Sequence, residues 1–441
     1  MKIFKVYSSA LLIVLGTLSL SAQNQPVFSN NQLKFNMNED GSHYIQMTGL
    51  LQTWFRGTQM NPGTTISGYS KDSYTDLSIR RLRFQTYGQL TDRVFFYAQF
   101  GQNNFNFHSN KYDGAFFHDA IGEFAVVKQK LSIGGGLTGW SGLARYASPS
   151  VASILTLDAP LYQQATNGVN DQFLRKLSLY AKGQLGKLDY RIAVTQPMTV
   201  TGTPNAEVSP TSTQFTFSNE PPKKQLQGYV KYMFLDSESN LTPYSTGSYL
   251  GRKSVFNIGA GVIFQKDAMW ALNDAGATVH SNMALYGLDV YYDKPISETA
   301  AITAYAALTN YDFGSGYIRN IGVNNPATGL NAPNPGGAGN AFPMVGTGNT
   351  VYAQLGYLFG QNMITEGGQL QPFAAVQLSG YDHTADNVTM FELGGNYFIH
   401  GSHSNKISAV YQNRPVFVAQ GGENIKNGSK GMFVLQYQVS F

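Results

Sequence analysis

The side chains able to do chemistry in this chain are charged residues spaced two apart inside short alternating stretches. Arg81 and Arg83 share one face of a stretch whose other face carries Leu82, Phe84 and Gly88. Asp119 and Glu123 share a face in the same way, with Ile121 between them. Extending the alternation along the chain adds Arg56, Lys176, Lys182, Arg191 and Lys231 to the basic set, and Asp289, Asp293 and Glu392 to the acidic set. Charges held on the polar face of strands whose reverse face is apolar would line a wet interior. There they would act on ions that pass, because a pore selects by its radius and by the charges at its narrowest point. The basic residues fall mainly on the early stretches and three of the five acids on later ones. That distribution admits two readings: a transverse field across a constriction, or charges that merely keep the lumen wet or sit near its rims.

Catalytic groupings are absent by comparison. His43, His108, His118, His280, His383, His400 and His403 are scattered, and no carboxylate completes a metal-ligand cluster around His400 and His403. Asp382 and His383 form an acid–histidine pair, which a loop position explains. No Gly-rich run follows a strand and opens a helix, so no phosphate cradle is expected. The expectation is a protein that is not an enzyme and holds no cofactor or metal. With a formal net charge of +4, falling to +2 once Lys2 and Lys5 are removed, and no basic tail, no nucleic-acid partner is expected.

The elements that must position these charges are strands. Charged residues make up only 13% of the chain, against about 25% in soluble domains, while it holds 27 Tyr and 28 Phe. Low charge with abundant aromatic residues fits strands facing lipid on one side and water on the other. Alternating segments are predicted near 43–56, 77–90, 94–100, 115–127, 130–139, 173–186, 188–197 and 225–235. The second half adds 254–266, 282–294, 300–312, 349–360, 370–382, 388–400, 404–413 and 430–441. The fold class expected is all-β: a transmembrane antiparallel barrel of about sixteen strands, residues 43–441, with short periplasmic turns and long extracellular loops. The stretch 236–253 is an exception, a long connection on the periplasmic side. Residues 314–348, rich in Gly, Asn and Pro, are expected as a mobile external loop. Residues 140–172 carry Ile154, Leu155, Leu157, Leu161 and Tyr162, and are expected to fold inward and narrow the pore.

Both termini support export. Residues 1–22 read as a cleaved signal peptide, with Lys2 and Lys5 ahead of an apolar run and Ser21-Ala22 before a mature start at Gln23. That run is about half of the ~20 residues that span a bilayer. Residues 23–42 would be a short periplasmic segment. Without cysteine, neither a structural disulfide nor a lipid on a Cys at the cleavage site is open to the chain. The last segment places Phe433, Leu435, Tyr437, Val439 and Phe441 on one face, and the aromatic terminus Phe441 resembles the assembly signal of outer-membrane barrels.

A family resemblance rests on Ser78-Ile79-Arg80-Arg81-Leu82-Arg83-Phe84, then Gly88-Gln89-Leu90 and Arg93-Val94-Phe95-Phe96-Tyr97-Ala98-Gln99-Phe100. This resembles the opening hairpin of the phosphate-selective porin family. Asp119-Ala120-Ile121 is similar to that family's Asp-Ala-aromatic step, with Ile121 departing from the aromatic. The strand 134–139 leading into Ser148-Pro149-Ser150 stands where the family has its inward loop. Tyr286-Gly-Leu-Asp-Val-Tyr-Tyr-Asp-Lys-Pro295 and Thr309-Asn-Tyr-Asp-Phe-Gly314 look like outer-membrane porins of Bacteroidota. The resemblance implies a sixteen-stranded barrel, commonly a homotrimer, in the Gram-negative outer membrane. Its partners would be lipid, lipopolysaccharide and, during biogenesis, the barrel-assembly machinery. It does not secure phosphate selectivity, because the basic residues here are fewer and mixed with acids. The leading expectation is passive diffusion of small hydrophilic solutes through a water-filled lumen. A substrate-specific channel, for phosphate, another small anion, a short amide or an oligosaccharide, is one alternative. A structural barrel subunit of an envelope assembly is the other.

Overall fold

The computed structural model describes residues 27–29, 32–112, 114–140, 142–200, 209–211 and 214–441. The expected signal peptide, 1–22, lies outside them. Among the described residues no helix is long and apolar enough to cross a membrane. Sixteen antiparallel strands close on themselves. They are β1 (Tyr44–Gln59), β2 (Ser73–Gln89), β3 (Val94–Phe105) and β4 (Phe116–Val127). Next come β5 (Leu131–Thr138), β6 (Lys176–Leu185), β7 (Leu188–Gln196) and β8 (Gln225–Met233). β9 (Val255–Leu272), β10 (Thr278–Pro295), β11 (Ala301–Asp312) and β12 (Gly348–Leu358) follow. The last four are β13 (Gln369–Tyr381), β14 (Val388–Phe398), β15 (Asn405–Gln420) and β16 (Glu423–Ser440). Each segment expected from the alternation is present.

Closure joins β16 to β1, from Ser440 opposite Leu50 to Met432 opposite Thr58. A closed sheet leaves no edge strand, so outside the bulges the wall N–H and C=O groups pair within the sheet. The strand Gln32–Asn36 pairs with Tyr44–Met47 of β1, just beyond the point where β16 ends, and covers that part of the seam. At the seam, the Phe441 ring fills the space over Gly49. A methyl group on Gly49 would collide with that ring.

The outer wall exposes Phe84, Phe100, Phe117, Ile133, Leu179, Ile192, Leu226, Leu288, Leu308, Leu355, Leu393 and Leu435. The inner face buries Gln52, Gln99, Gln227, Gln377, Asn396, Gln436 and Gln438. This inversion of the soluble pattern is stable only with apolar solvent outside. Near the short turns, Tyr232, Phe234, Phe256 and Tyr292 form a run of ring contacts with centroids 4.8, 4.9 and 6.4 Å apart. Amphipathic rings at this level suit a lipid–water boundary.

Three connections fold into the barrel. Residues 139–175 enter from the loop side and bury Leu143, Tyr146, Ile154, Leu155, Leu157 and Tyr162. Gly261 and Gly287, paired across β9 and β10, let the backbone at Leu143 lie directly on the wall, where any side chain would collide with it. Residues 234–254 enter from the turn side and bury Glu238, Ser248 and Leu250. The third corrects an expectation. Residues 313–347 pack as a cap, with strands Ile318–Ile321 and Phe342–Gly346 paired and Asn324, Asn340, Phe342, Met344 and Val345 buried. Its asparagines satisfy backbone groups at close range. Asn320 donates to Pro335 O at 2.7 Å, Asn325 to Ala338 O at 2.9 Å and Asn340 to Val323 O at 2.9 Å. A polar segment can therefore be buried once its own side chains replace water.

The expected break between 413 and 430 is also filled. β15 and β16 continue to a turn at Gly421-Gly422, and a bulge between Pro415 and Phe417 absorbs the proline that interrupts the pattern.

Candidate functional site

Two bulges shape the inner wall at the start of the barrel. The register of β1 with β2 shifts between Gln52 and Thr53, leaving Arg80 as the extra residue, so Arg80 and Arg81 are both buried inside. The register of β3 with β4 shifts between Gln99 and Phe100, and His118 is turned in beside Asp119. Strict alternation would point Arg80 at lipid. A guanidinium there costs about 2–4 kcal/mol at the midplane, which is the force behind the bulge.

Arg80, Arg81 and Arg83 border a cavity of about 530 Å³ that also touches Gln85, Tyr87, Gln99 and Asn103 on β2 and β3. It runs from Asn167, Arg319 and Asn324 of the loop-side segments to Thr48, Ser440 and Phe441 near the turn side. The inward segments form its opposite wall, with Val151, Ala152, Ala159, Leu161, Val169, Phe173 and Val323. Among the described residues the lining holds five arginines, Arg80, Arg81, Arg83, Arg175 and Arg319, and no Asp or Glu. Two carboxylates stand behind them. Asp158 accepts from Arg80 at 2.8 and 3.2 Å and also pairs with Arg81. Asp119 pairs with Arg175 at 3.3 Å and accepts from the Tyr244 hydroxyl. Among the described residues Arg319 donates to backbone alone, at 2.8 Å to Asn167 O and 2.9 Å to Ala165 O. Arg83 is 4% exposed, and its Nη1 has no partner among the described residues.

Of the twelve residues singled out by alternation, Arg81 and Arg83 line this cavity. The other ten are buried inside the barrel but committed to partners. Arg56 holds Asp76 through two bonds of 2.6 and 2.8 Å. Glu123 accepts from Lys182 and the Tyr180 hydroxyl, each at 3.0 Å. Lys176 donates to Asp171 at 3.2 Å, and Arg191 lies over the Tyr229 ring at 4.8 Å. Asp289 accepts from the Tyr229 hydroxyl at 2.9 Å, Asp293 from Thr303 at 2.8 Å and Glu392 from Gln412 at 2.7 Å. The acids of the later strands thus anchor packed segments. The transverse field expected across the constriction has no acidic wall in this lining.

Lys231, the remaining one, belongs to a buried cluster that locks two inward segments together. Arg145 of 139–175 holds Glu238 of 234–254 through bonds of 2.6 and 2.8 Å, and stacks on Tyr291 at 3.5 Å. Lys231 and the Tyr249 hydroxyl reach the same carboxylate at 2.9 and 2.7 Å. Burial alone would raise the Glu238 carboxyl. Arg145 and Lys231 outweigh it and hold that carboxyl well below its ordinary 4.5. Burial opposes ionisation of Asp158 too, and Arg80 with Arg81 keeps it below 3.8.

Sequence reasoning missed Arg80, Arg175, Arg319 and the carboxylates Asp158 and Glu238. Adjacent arginines inside a membrane strand were the available signal for Arg80. The others sit on connections, where no periodicity assigns a face.

No family model matches this chain, and no curated protein does. Solved structures with the same architecture do. The OmpF porin of Salmonella typhi in complex with daunomycin is 10% identical, with 92% of this chain and 99% of that one covered at a TM-score of 0.51. The outer-membrane channel DcaP of Acinetobacter baumannii is 13% identical over 92% and 99%, at 0.48. An anion-selective porin from Comamonas acidovorans is 11% identical over 90% and 99%, at 0.46. The likeness to OmpF establishes the sixteen-stranded barrel and reaches no further than the fold.

Proposed function

We propose that this protein is an outer-membrane diffusion channel that favours small anions. The observation that carries this reading is the cavity lining, which among the described residues holds five guanidinium groups and no Asp or Glu side chain. Fixed positive charge in a narrow, low-dielectric passage raises the local concentration of anions and repels cations. Arginine stays charged at any working pH, so the preference persists across the physiological range. The apolar outer wall supports insertion among lipid and lipopolysaccharide, with the terminal Phe441 as the feature read by the barrel-assembly machinery. The family resemblance in the sequence adds a homotrimer, which cross-linking of the detergent-extracted protein tests.

The decisive experiment is reconstitution in a planar bilayer under a potassium chloride gradient. The expected result is stepwise, ohmic conductance with a reversal potential on the chloride side. A folded, heat-modifiable barrel that conducts nothing, or one that prefers potassium, would overturn the reading.

A further inference from the structure

The cavity has two unlike walls. One carries Arg80, Arg81, Arg83 and Arg175. The other is mixed: on the inward segments the apolar side chains Leu161, Val169, Phe173 and Val323 alternate with Gln164, Asn167, Asn324 and Arg319. Within the first wall the arginines are unequal. Arg80 and Arg81 share Asp158, and Arg175 is held by Asp119, Tyr244 and Gln99. Arg83 has no ion pair among the described residues, and its buried Nη1 is unpartnered beside the cavity it lines. A buried donor with no acceptor is a standing demand for one.

Resting on the anion preference proposed above, we propose that this cavity is a binding site for a small organic carboxylate with an apolar body. The carboxylate pairs with the Arg83 guanidinium, and the body lies along Leu161, Val169, Phe173 and Val323. An inorganic phosphate is the poorer occupant. It satisfies Arg83 equally and can reach Gln164 or Asn167, but it leaves the apolar side chains Leu161, Val169, Phe173 and Val323 without an apolar partner. Acetate has the right charge and too little body. For a carboxylate carrying a ring, the same wall is a gain, because burying apolar surface is favourable in proportion to its area.

The test measures block of chloride current through the reconstituted full-length channel by benzoate, acetate and phosphate at equal concentration and pH. Benzoate is expected to half-block at about a tenfold lower concentration than acetate or phosphate. Phosphate blocking as well as benzoate would overturn the proposal while leaving chloride preference, read from the reversal potential, intact. Loss of that preference in the wild type would instead sink the underlying channel reading. Arg83→Gln is expected to raise the benzoate half-block concentration about tenfold with the barrel still heat-modifiable. Val323→Ser is expected to weaken benzoate block several-fold more than phosphate block. The wild-type ligand series needs no variant, so a misfolded Arg83→Gln still leaves the order of the three anions to decide. Unchanged benzoate block in both variants would remove the ligand from this cavity.

Discussion

The two halves of the barrel interior use charge in opposite ways. Along β1 to β3, arginines border the cavity, and their carboxylate partners, Asp119 and Asp158, stand behind them. Across β8 to β12, Arg145, Lys231, Glu238, Asp289 and Asp293 are sealed among Tyr146, Tyr291 and Tyr305 under the inward segments. In the first region a charge can act on a passing solute. In the second each charge is spent on holding an inward connection to the wall or to another connection. The difference shows that inward orientation does not by itself make a pore residue; what decides is whether a connection covers it.

The largest expected effect breaks the sealed region. Glu238→Gln leaves Arg145 and Lys231 buried without a counter-charge, a loss of about 3–5 kcal/mol. Heat-modifiability in gel mobility should then appear at a clearly lower temperature than in wild type. Asp158→Asn sharpens the contrast. Arg80 and Arg81 keep access to the cavity, so the loss should be smaller, about 1–3 kcal/mol, while chloride preference and single-channel conductance rise. A destabilisation equal to that of Glu238→Gln would erase the distinction between the two regions.

Charge reversal comes next. Arg80→Glu should move the reversal potential toward potassium. Lys182→Glu with Arg191→Glu should unsettle the barrel and leave that potential unchanged, since neither residue borders the cavity. A potential that moves with the second pair would place those residues in the conducting path.

The smallest effect is in pH. Asp158 and Glu238 are both held below their ordinary values of 3.8 and 4.5. A depressed carboxyl contributes stability that is complete above its unfolded value and lost as pH falls through its folded one. Thermal stability should therefore be flat from pH 7 to about 5 with respect to these two groups, and fall only in stronger acid. A midpoint between pH 5 and 6 would assign the transition to other groups.

Most of the barrel was legible because lipid imposes a rule that each strand must obey locally. Leu177 and Leu179 face out, Lys176 and Lys182 face in, and the penalty for exchanging them is present at every register. The candidate site was legible only where it lies on a regular strand, at Arg81 and Arg83. Arg80 escaped because a bulge changes parity within one residue. Asp158 and Glu238 escaped because their roles depend on contacts with Arg81 and Arg145 across long stretches of chain.

The sequence by itself determined a closed all-β wall, its strand segments and the side of each strand that meets lipid, since period-two alternation is a local property. Only the tertiary structure decided which inward charges meet water. That outcome depends on where residues 139–175, 234–254 and 313–347 come to rest inside the barrel, and no local periodicity encodes the path of a connection. It is set by glycines such as Gly261 and Gly287 that admit a backbone, by asparagines that replace water, and by ion pairs that form only when distant segments meet.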